Sequence, residues 1–258
     1  MSLLPKMIHS SWRKFLSNDT IIKELEEIEN KIGSDYFPKR ENILRFIETD
    51  LSNVKYIIVG MDPYPSFVSV DGHIIPEATG RSFEVNSLRD KSWNDKFSQS
   101  SLRNILKAIV YAETGEILSV QKIREGLANN TINVLSPGDL FDSMERQGVL
   151  FLNASLTVKR GIVASHTEIW GNFMSHLISY INFNNASATW LLYGKDAQNR
   201  MIPFLNHDDY KIFSHPRLHE FVKENPFYSL SGVYWTGIVS DEVKRPLNCK
   251  LMLKSIQE

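Results

Sequence analysis

The feature that most constrains the fold of this chain is the alternation of short apolar runs with longer amphipathic segments after residue 50. The alternating segments are, in order, KYIIVG, SSLRNILKAIVYAETG, GVLFLNASLTV, ASHTEIWGNFMSHLISYINF, ATWLLYG, DAQNRMIPFL and YKIFSHP. Apolar, β-branched runs without polar alternation are typical of strands that are buried on both faces of a parallel sheet. Strands separated by helices predict an α/β fold, with three layers, α/β/α, around a central, mostly parallel four-stranded sheet.

The rest of the chain is expected to belong to the same domain. The segment IIKELEEIENKI, residues 21–32, spaces its apolar residues as in an amphipathic helix, and a second helix is expected over residues 42–49. Residues 63–99 are predicted to form a long irregular stretch. No repeat, low-complexity segment or flexible linker divides the sequence, so residues 1–258 are expected to form a single domain with a helical N-terminal extension over about residues 1–50.

The composition excludes several classes of protein. With 29 basic and 30 acidic residues the formal net charge is -1, so any binding of nucleic acid has to rest on a local basic surface. The single cysteine, Cys249, excludes an internal disulfide framework and a Cys-based zinc site, and it suits a reducing compartment. The N-terminal apolar stretch is too short for a signal peptide or a membrane span, and no HExxH spacing is present. A cytoplasmic protein without a metal or an organic cofactor is therefore expected.

Three polar residues follow the ends of predicted strands. Asp62 follows YIIV, Asn153 follows VLFL, and His215 follows YKIFS. Open α/β sheets bind ligands at the carboxyl ends of their strands, where an acid could orient a water, an amide could read a hydrogen-bonding edge and an imidazole could stabilise an anion. The alternative is structural, because Asp-Pro is an ordinary type I turn and a lone Asn or His is commonly a cap or a satisfied buried group.

Read together, the motifs resemble those of the family 1 uracil-DNA glycosylases, from about residue 56 to about residue 234. The matching segments are GMDPYP for the water-activating motif Gly-Gln-Asp-Pro-Tyr-His, GRSFEV, SSLRNI, GDLFDSMERQGVLFLNASLTV, ASHTEIWGNF, LLYGKDAQ and SHPRLHEF. The resemblance implies the fold of that superfamily and a monofunctional DNA glycosylase, which hydrolyses the N-glycosidic bond of uracil and leaves an abasic site. Such enzymes rotate the nucleotide out of the duplex because the bond is inaccessible in the stack.

The resemblance also implies catalytic and base-reading roles. Asp62 would orient the attacking water and stabilise the oxocarbenium-like sugar, and His215, as a neutral imidazole, would stabilise the departing uracil anion. The implied uracil-binding residues are Met61 through its backbone, Tyr64 against a thymine methyl group, Phe83 by stacking and Asn153 by its amide.

The implied DNA contacts lie in three motifs, with Leu218 as the wedge that fills the vacated stack. The DNA-binding residues are Ser101, Ser165, His166, Pro216, Arg217 and Leu218. Ser101 has an equally simple alternative as a serine N-cap of its helix. No lysine stands in the matched motifs to form a Schiff base, so base loss without strand cleavage is expected.

The sequence departs from the family pattern at several points. Met61 and Pro65 replace a glutamine and a histidine, and the segment 65–79 is longer than the compact family loop, which makes the position of Phe83 harder to infer. The leucine motif HPRLHE is shortened and carries Arg217. These departures leave two alternatives open, a glycosylase for another damaged base and a DNA-binding or replication-accessory protein with weak activity. DNA is the expected partner of a monomer, and a protein inhibitor is a further candidate partner.

Overall fold

The computed structural model describes residues 3–70 and 72–235, so Cys249 lies outside the described residues. The strands are β1 (Tyr36–Phe37), β2 (Tyr56–Gly60), β3 (Phe67–Val70), β4 (His73–Pro76), β5 (Val149–Asn153), β6 (Val158–Lys159), β7 (Thr189–Tyr193) and β8 (Tyr210–Phe213). The α-helices are α1 (Arg13–Leu16), α2 (Asp19–Ile32), α3 (Asn86–Arg89), α4 (Ser100–Thr114), α5 (Val120–Ala128), α6 (Pro137–Arg146), α7 (Thr167–Asn184), α8 (Lys195–Met201) and α9 (Glu220–Lys223). None of the helices in these residues is long and apolar enough to cross a membrane.

The chain groups into two compact units. The first takes its described residues from Met1–Asp90 and Gly148–Phe213, and the second from Lys91–Gln147 and Ser214–Glu258. The first unit contains the central sheet, and the second contains α4, α5, α6 and α9. The assignment of the whole chain to a single domain stays a prediction.

The first unit is built on a four-stranded parallel sheet flanked by helices, which confirms the predicted α/β fold. The strand order is β5-β2-β7-β8, and every neighbouring pair is parallel. Ile57, Ile58 and Val59 of β2 are all buried, as expected for a strand that is covered on both faces. The register places Gly60 opposite Asn153 at the carboxyl ends of two adjacent strands.

The predicted helix over residues 42–49 is wrong. Two short 3-10 helices, Arg40–Asn42 and Arg45–Glu48, occupy this part of the first unit. Four apolar side chains of residues 43–47, namely Ile43, Leu44, Phe46 and Ile47, are buried in the same core. Their spacing suits one face of an α-helix, but the chain buries them from two short 3-10 turns, so tertiary packing outweighs the local helical pattern.

The prediction that residues 63–99 are irregular throughout is also wrong. Strands β3 and β4 form an antiparallel hairpin, which turns at Gly72 with a φ of 77°, and α3 follows it. The Glu77 N–H donates to the Ser66 carbonyl oxygen over 3.0 Å, so the two ends of the hairpin are adjacent. The extra length is therefore contained in the hairpin, and the chain resumes close to the point where it left.

Candidate active site

Asn153, Phe83 and Ser82 pack closely around Gly60 at the end of β2 in the first unit. A Cβ atom placed on Gly60 would lie 2.8 Å from Asn153 Oδ1, 3.2 Å from Phe83 Cζ and 3.2 Å from Ser82 Cβ. The absence of a side chain at Gly60 therefore lets the Asn153 amide and the Phe83 ring approach the end of the strand. An amide and an aromatic ring that lie this close together can bind a planar, polar ring by hydrogen bonding and ring contact.

Asn153 lies beside Gly60, and its side chain makes no hydrogen bond within the described residues. The residue is only 3% exposed. The backbone around it is fixed, because the Ala154 N–H donates to the Gly60 carbonyl over 2.9 Å and the Ser155 N–H donates to the Met61 carbonyl over 3.1 Å. The Asn153 amide does not belong to the fully buried polar groups that lack a partner, so it reaches solvent and is available to hydrogen-bond a ligand.

Phe83 is held in a backbone conformation that bulky residues rarely adopt, with a φ of 66°. The loop around it is fixed by buried contacts: Arg81 Nη1 donates to Glu84 Oε1 over 3.1 Å, and Ser82 Oγ donates to the Ile58 carbonyl over 3.2 Å. The Phe83 ring is 8% exposed and packs against Tyr193, with ring centroids 5.7 Å apart. Strain of this kind persists where the surroundings impose it, commonly at functional sites.

Asp62 lies two residues beyond β2 and is partly buried. Its Oδ2 accepts a hydrogen bond of 2.7 Å from the backbone N–H of Ala164, which itself has a positive φ of 57°. Its Oδ1 accepts no hydrogen bond from a described residue, so it is available to orient a water. Pro65 replaces the family histidine, and its carbonyl oxygen accepts from the Gly161 N–H over 2.9 Å. The loop that carries Asp62 is therefore supported by the segment 161–164.

The pKa of Asp62 is raised above its ordinary value because burial disfavours the carboxylate. The Ala164 N–H and the positive charge of Arg200 lower this pKa, and the negative charge of Asp196 raises it, but burial is the largest effect. The pKa of Asp62 is therefore higher than that of an exposed aspartate, and the charges of Arg200 and Asp196 modify it in opposite directions.

Charge removal at Arg200 and Asp196 is expected to move this pKa in opposite directions. Arg200→Gln removes a favourable positive charge and raises the pKa of Asp62, whereas Asp196→Asn removes a repulsive negative charge and lowers it. An NMR titration of the side-chain carboxyl carbons measures both shifts, with Asp208→Asn at an exposed position as the control. Shifts of the same sign in the two variants would contradict this account of the electrostatics.

His166 and Ser165 precede α7 in the first unit. The Ser165 hydroxyl oxygen accepts from the Lys159 N–H over 2.7 Å, which leaves its own proton for another acceptor. His166 is 6% exposed, and burial, with the charge of Lys159, lowers its pKa. Its Nδ1 lies 2.9 Å from Thr157 Oγ1, which accepts a hydrogen bond of 2.7 Å from Trp170 Nε1. We therefore assign the Thr157 hydroxyl as the donor to His166 Nδ1. The neutral His166 ring then carries its own proton on Nε2.

Met61 and Tyr64 follow β2 directly, and both are partly exposed. The Met61 carbonyl is engaged by Ser155, as described above, so the Met61 backbone is fixed next to the end of β2. Exclusion of a methyl group by Tyr64 stays a prediction.

His215 lies in the second unit, in the segment 214–218, which we call the His215 loop. The Arg217 N–H donates to His215 Nδ1 over 3.1 Å, so a neutral ring carries its proton on Nε2. The Leu218 N–H donates to the His215 carbonyl over 2.8 Å, which closes a tight turn. Pro216 is buried, while Arg217 is exposed and Leu218 is 47% exposed.

Ser101, also in the second unit, is not a helix N-cap. Helix α4 begins at Ser100 with Gln99 as its N-cap residue, and no side chain caps it, so the predicted serine cap is wrong. Ser101 lies within the first turn and is buried. The backbone N–H groups in the first turn of a helix favour the binding of anions. A serine hydroxyl in that turn, such as that of Ser101, can therefore still donate a hydrogen bond to a phosphate.

Two residues near Asp62 escaped the sequence analysis, namely Ala164 and Arg200. An alanine and an arginine are common in every protein, so neither residue carries a signal of its own. Among the described residues, no group of three or more His, Cys, Asp or Glu side chains could hold a metal ion.

Comparison with known proteins makes the assignment specific. The uracil-DNA glycosylase of Mycoplasmopsis pulmonis (strain UAB CTIP) is 31% identical over 206 residues, which cover 76% of this chain and 78% of that protein. The uracil-DNA glycosylase of Mesomycoplasma hyopneumoniae (strain 7448) is 27% identical over 222 residues, covering 83% and 85%. The wild-type UNG structure from Nitratifractor salsuginis has a TM-score of 0.65 at 23% identity, covering 86% of this chain and 90% of that one. No protein-family model matches the chain.

The fold, with Asn153 and Phe83 grouped around Gly60 at the sheet end, is that of an α/β protein with a candidate site for a planar, polar ring. The sequence relationship is specific enough to go further. This chain belongs to the uracil-DNA glycosylases, which are hydrolases acting on N-glycosyl bonds.

Proposed function

We propose that this chain is a family 1 uracil-DNA glycosylase that acts as a cytoplasmic monomer, removes uracil from a nucleotide rotated out of DNA and leaves an abasic site. The observation that carries the proposal is the Asn153 amide beside Gly60 and Phe83, which makes no hydrogen bond within the described residues. Uracil supplies the acceptor and the donor that this amide lacks, and its planar ring suits contact with Phe83.

The proposed reaction is a hydrolysis with Asp62 and His215 as the two catalytic residues. Asp62 orients a water with Oδ1 while Ala164 holds Oδ2, and the carboxylate stabilises positive charge that develops on the sugar. His215 donates from Nε2 to a uracil carbonyl and stabilises the negative charge of the departing base. Water adds to the sugar carbon as the glycosidic bond breaks, and the bond's electron pair leaves with the uracil anion. The water loses one proton, which ends on the uracil anion, so that the products are a sugar hydroxyl and neutral uracil.

The selection of uracil over cytosine and thymine is proposed to depend on Asn153 and Tyr64. Cytosine presents a donor where uracil presents an acceptor, so it would leave buried polar groups of Asn153 unsatisfied. Thymine adds a methyl group, which Tyr64 is proposed to exclude by a steric clash. Met61 contributes through its backbone, which is fixed by Ser155.

The proposed DNA contacts use donors that the structure leaves available. We expect three donors to hydrogen-bond the DNA phosphates: the Ser165 hydroxyl, His166 Nε2 and the Ser101 hydroxyl. The His215 loop is proposed to contact the strand through Pro216 and Arg217 and to insert the exposed Leu218 into the vacated stack.

Base release from duplex oligonucleotides with U, T or C at one labelled position tests this function. In EDTA, the wild-type protein is expected to release uracil alone and to leave an intact strand that breaks only in alkali. Asn153→Asp is expected to release cytosine as well, because a protonated carboxyl presents a complementary edge. Asn172→Asp, at an exposed position of α7, is the matched control and should behave as the wild type. A wild-type protein that binds the duplex but releases no base would overturn the proposal.

A further inference from the structure

We propose that Asn104 and Glu224 are positioning residues that hold the His215 loop ready for duplex DNA. This inference rests on the proposed function and gives a role to two residues to which the sequence analysis gave none. Both residues and the whole loop lie in the second unit.

Glu224 anchors the first residue of the loop. Its Oε2 accepts from the Ser214 N–H over 2.6 Å, and its Oε1 accepts from the Ser214 hydroxyl over 2.5 Å. Hydrogen bonds to an ionised carboxylate are shorter and stronger than neutral ones. Glu224 is itself fixed directly after α9, where its N–H donates to the Glu220 carbonyl over 3.0 Å. The residue immediately before His215 is therefore held at two atoms.

Asn104 anchors the other end of the loop from helix α4. Its Nδ2 donates to the Pro216 carbonyl over 2.7 Å and to the Leu218 carbonyl over 3.2 Å. Two carbonyls that flank Arg217 are thereby held on one amide group. The bonded residues are 112 and 114 positions apart in the sequence, so these bonds attach the His215 loop to helix α4.

The loop needs such anchors because its working end has little burial to hold it. Arg217 and Leu218 are exposed, and an exposed turn would otherwise sample many conformations. A loop that is already ordered before binding does not lose that freedom when DNA arrives. Asn104 thus holds the backbone of Leu218 in place before DNA binds, and Glu224 does the same for the backbone next to His215.

The Asn104→Asp variant tests the first anchor. It replaces two N–H donors by a carboxylate that faces two carbonyl oxygens, with almost no change of shape. For duplex substrate we expect kcat/KM to fall about 10²-fold, the scale reported for a misplaced active-site group. For a single-stranded uracil oligonucleotide we expect a much smaller loss, because no stack remains for Leu218 to fill. The control is Asn172→Asp.

The Glu224→Gln variant tests the second anchor. It turns one acceptor into a donor that faces the donors of Ser214, so His215 is displaced and activity on duplex and single strands should fall together. Ser214→Ala added to Glu224→Gln should cause little further loss, since both changes break the same contact. Additive losses in the double variant would contradict this role.

The outcomes separate this inference from the proposed function. Absence of uracil release by the wild-type protein would reject the function. An active wild-type protein whose duplex-to-single-strand ratio is unchanged in Asn104→Asp would reject the positioning role alone. A thermal unfolding midpoint measured for each variant identifies global destabilisation, which would lower activity on both substrates in proportion.

Discussion

Asp62→Asn is expected to lower the rate of uracil release by about 10²–10⁴-fold, the contribution typical of a positioned acid–base group. The asparagine oxygen can still accept from the Ala164 N–H, so the change removes charge while keeping the loop geometry. Affinity for uracil-containing duplex should stay nearly unchanged, because the carboxylate interacts most strongly with charge that exists only in the transition state. Single-turnover base release and fluorescence anisotropy measure the two quantities separately.

The control for this variant is Asp208→Asn, an exposed aspartate outside the site. Its rate and affinity should match those of the wild-type protein. Equal losses of rate and affinity in Asp62→Asn would assign Asp62 to folding or DNA binding instead of catalysis.

Gly60→Ala is expected to cause the second large loss, about 10²-fold in kcat/KM for uracil release. The added methyl group would approach Asn153 Oδ1 to 2.8 Å and Phe83 Cζ to 3.2 Å, so both groups have to move from the positions in which they meet a base. Since Gly60 ends a regular strand, alanine should be tolerated by the backbone itself. Kinetics of base release over a range of substrate concentration measure the loss.

Gly171→Ala is the matched control for the same chemical change. Gly171 lies in α7, and a Cβ placed on it has no neighbouring atom within 4 Å. Full activity in Gly171→Ala with a large loss in Gly60→Ala would show that base release depends on the packing of Asn153 and Phe83 on Gly60. Equal activity in both variants would contradict a role of that packing in base release.

The elements that the sequence predicted well are those with a strong local pattern. Strand β2 is a short β-branched run, and α2 has apolar residues on one helical face, so the pattern and the buried surface agree. The α-helix expected over residues 42–49 was wrong because packing of its buried apolar residues gives two 3-10 turns in place of the helix that their spacing favours. The hairpin was missed because its strands pair with each other and not with the central sheet. Serine capping of α4 was wrong because the N-cap residue is Gln99, two residues before Ser101.

The sequence by itself determined the α/β fold and the polar residues at the strand ends, because strand and helix periodicity and the residues that follow each run are local properties. Only the tertiary structure decided how these residues are held. The contact between Asp62 and Ala164 joins residues 102 positions apart, and the anchor of the His215 loop on Asn104 joins residues 112 positions apart. Asn153 and Phe83 pack on Gly60 because the register of two parallel strands pairs Gly60 with Asn153 and because the hairpin returns the chain to Phe83. Such distances and registers result from the packing of the whole unit, and no local pattern encodes them.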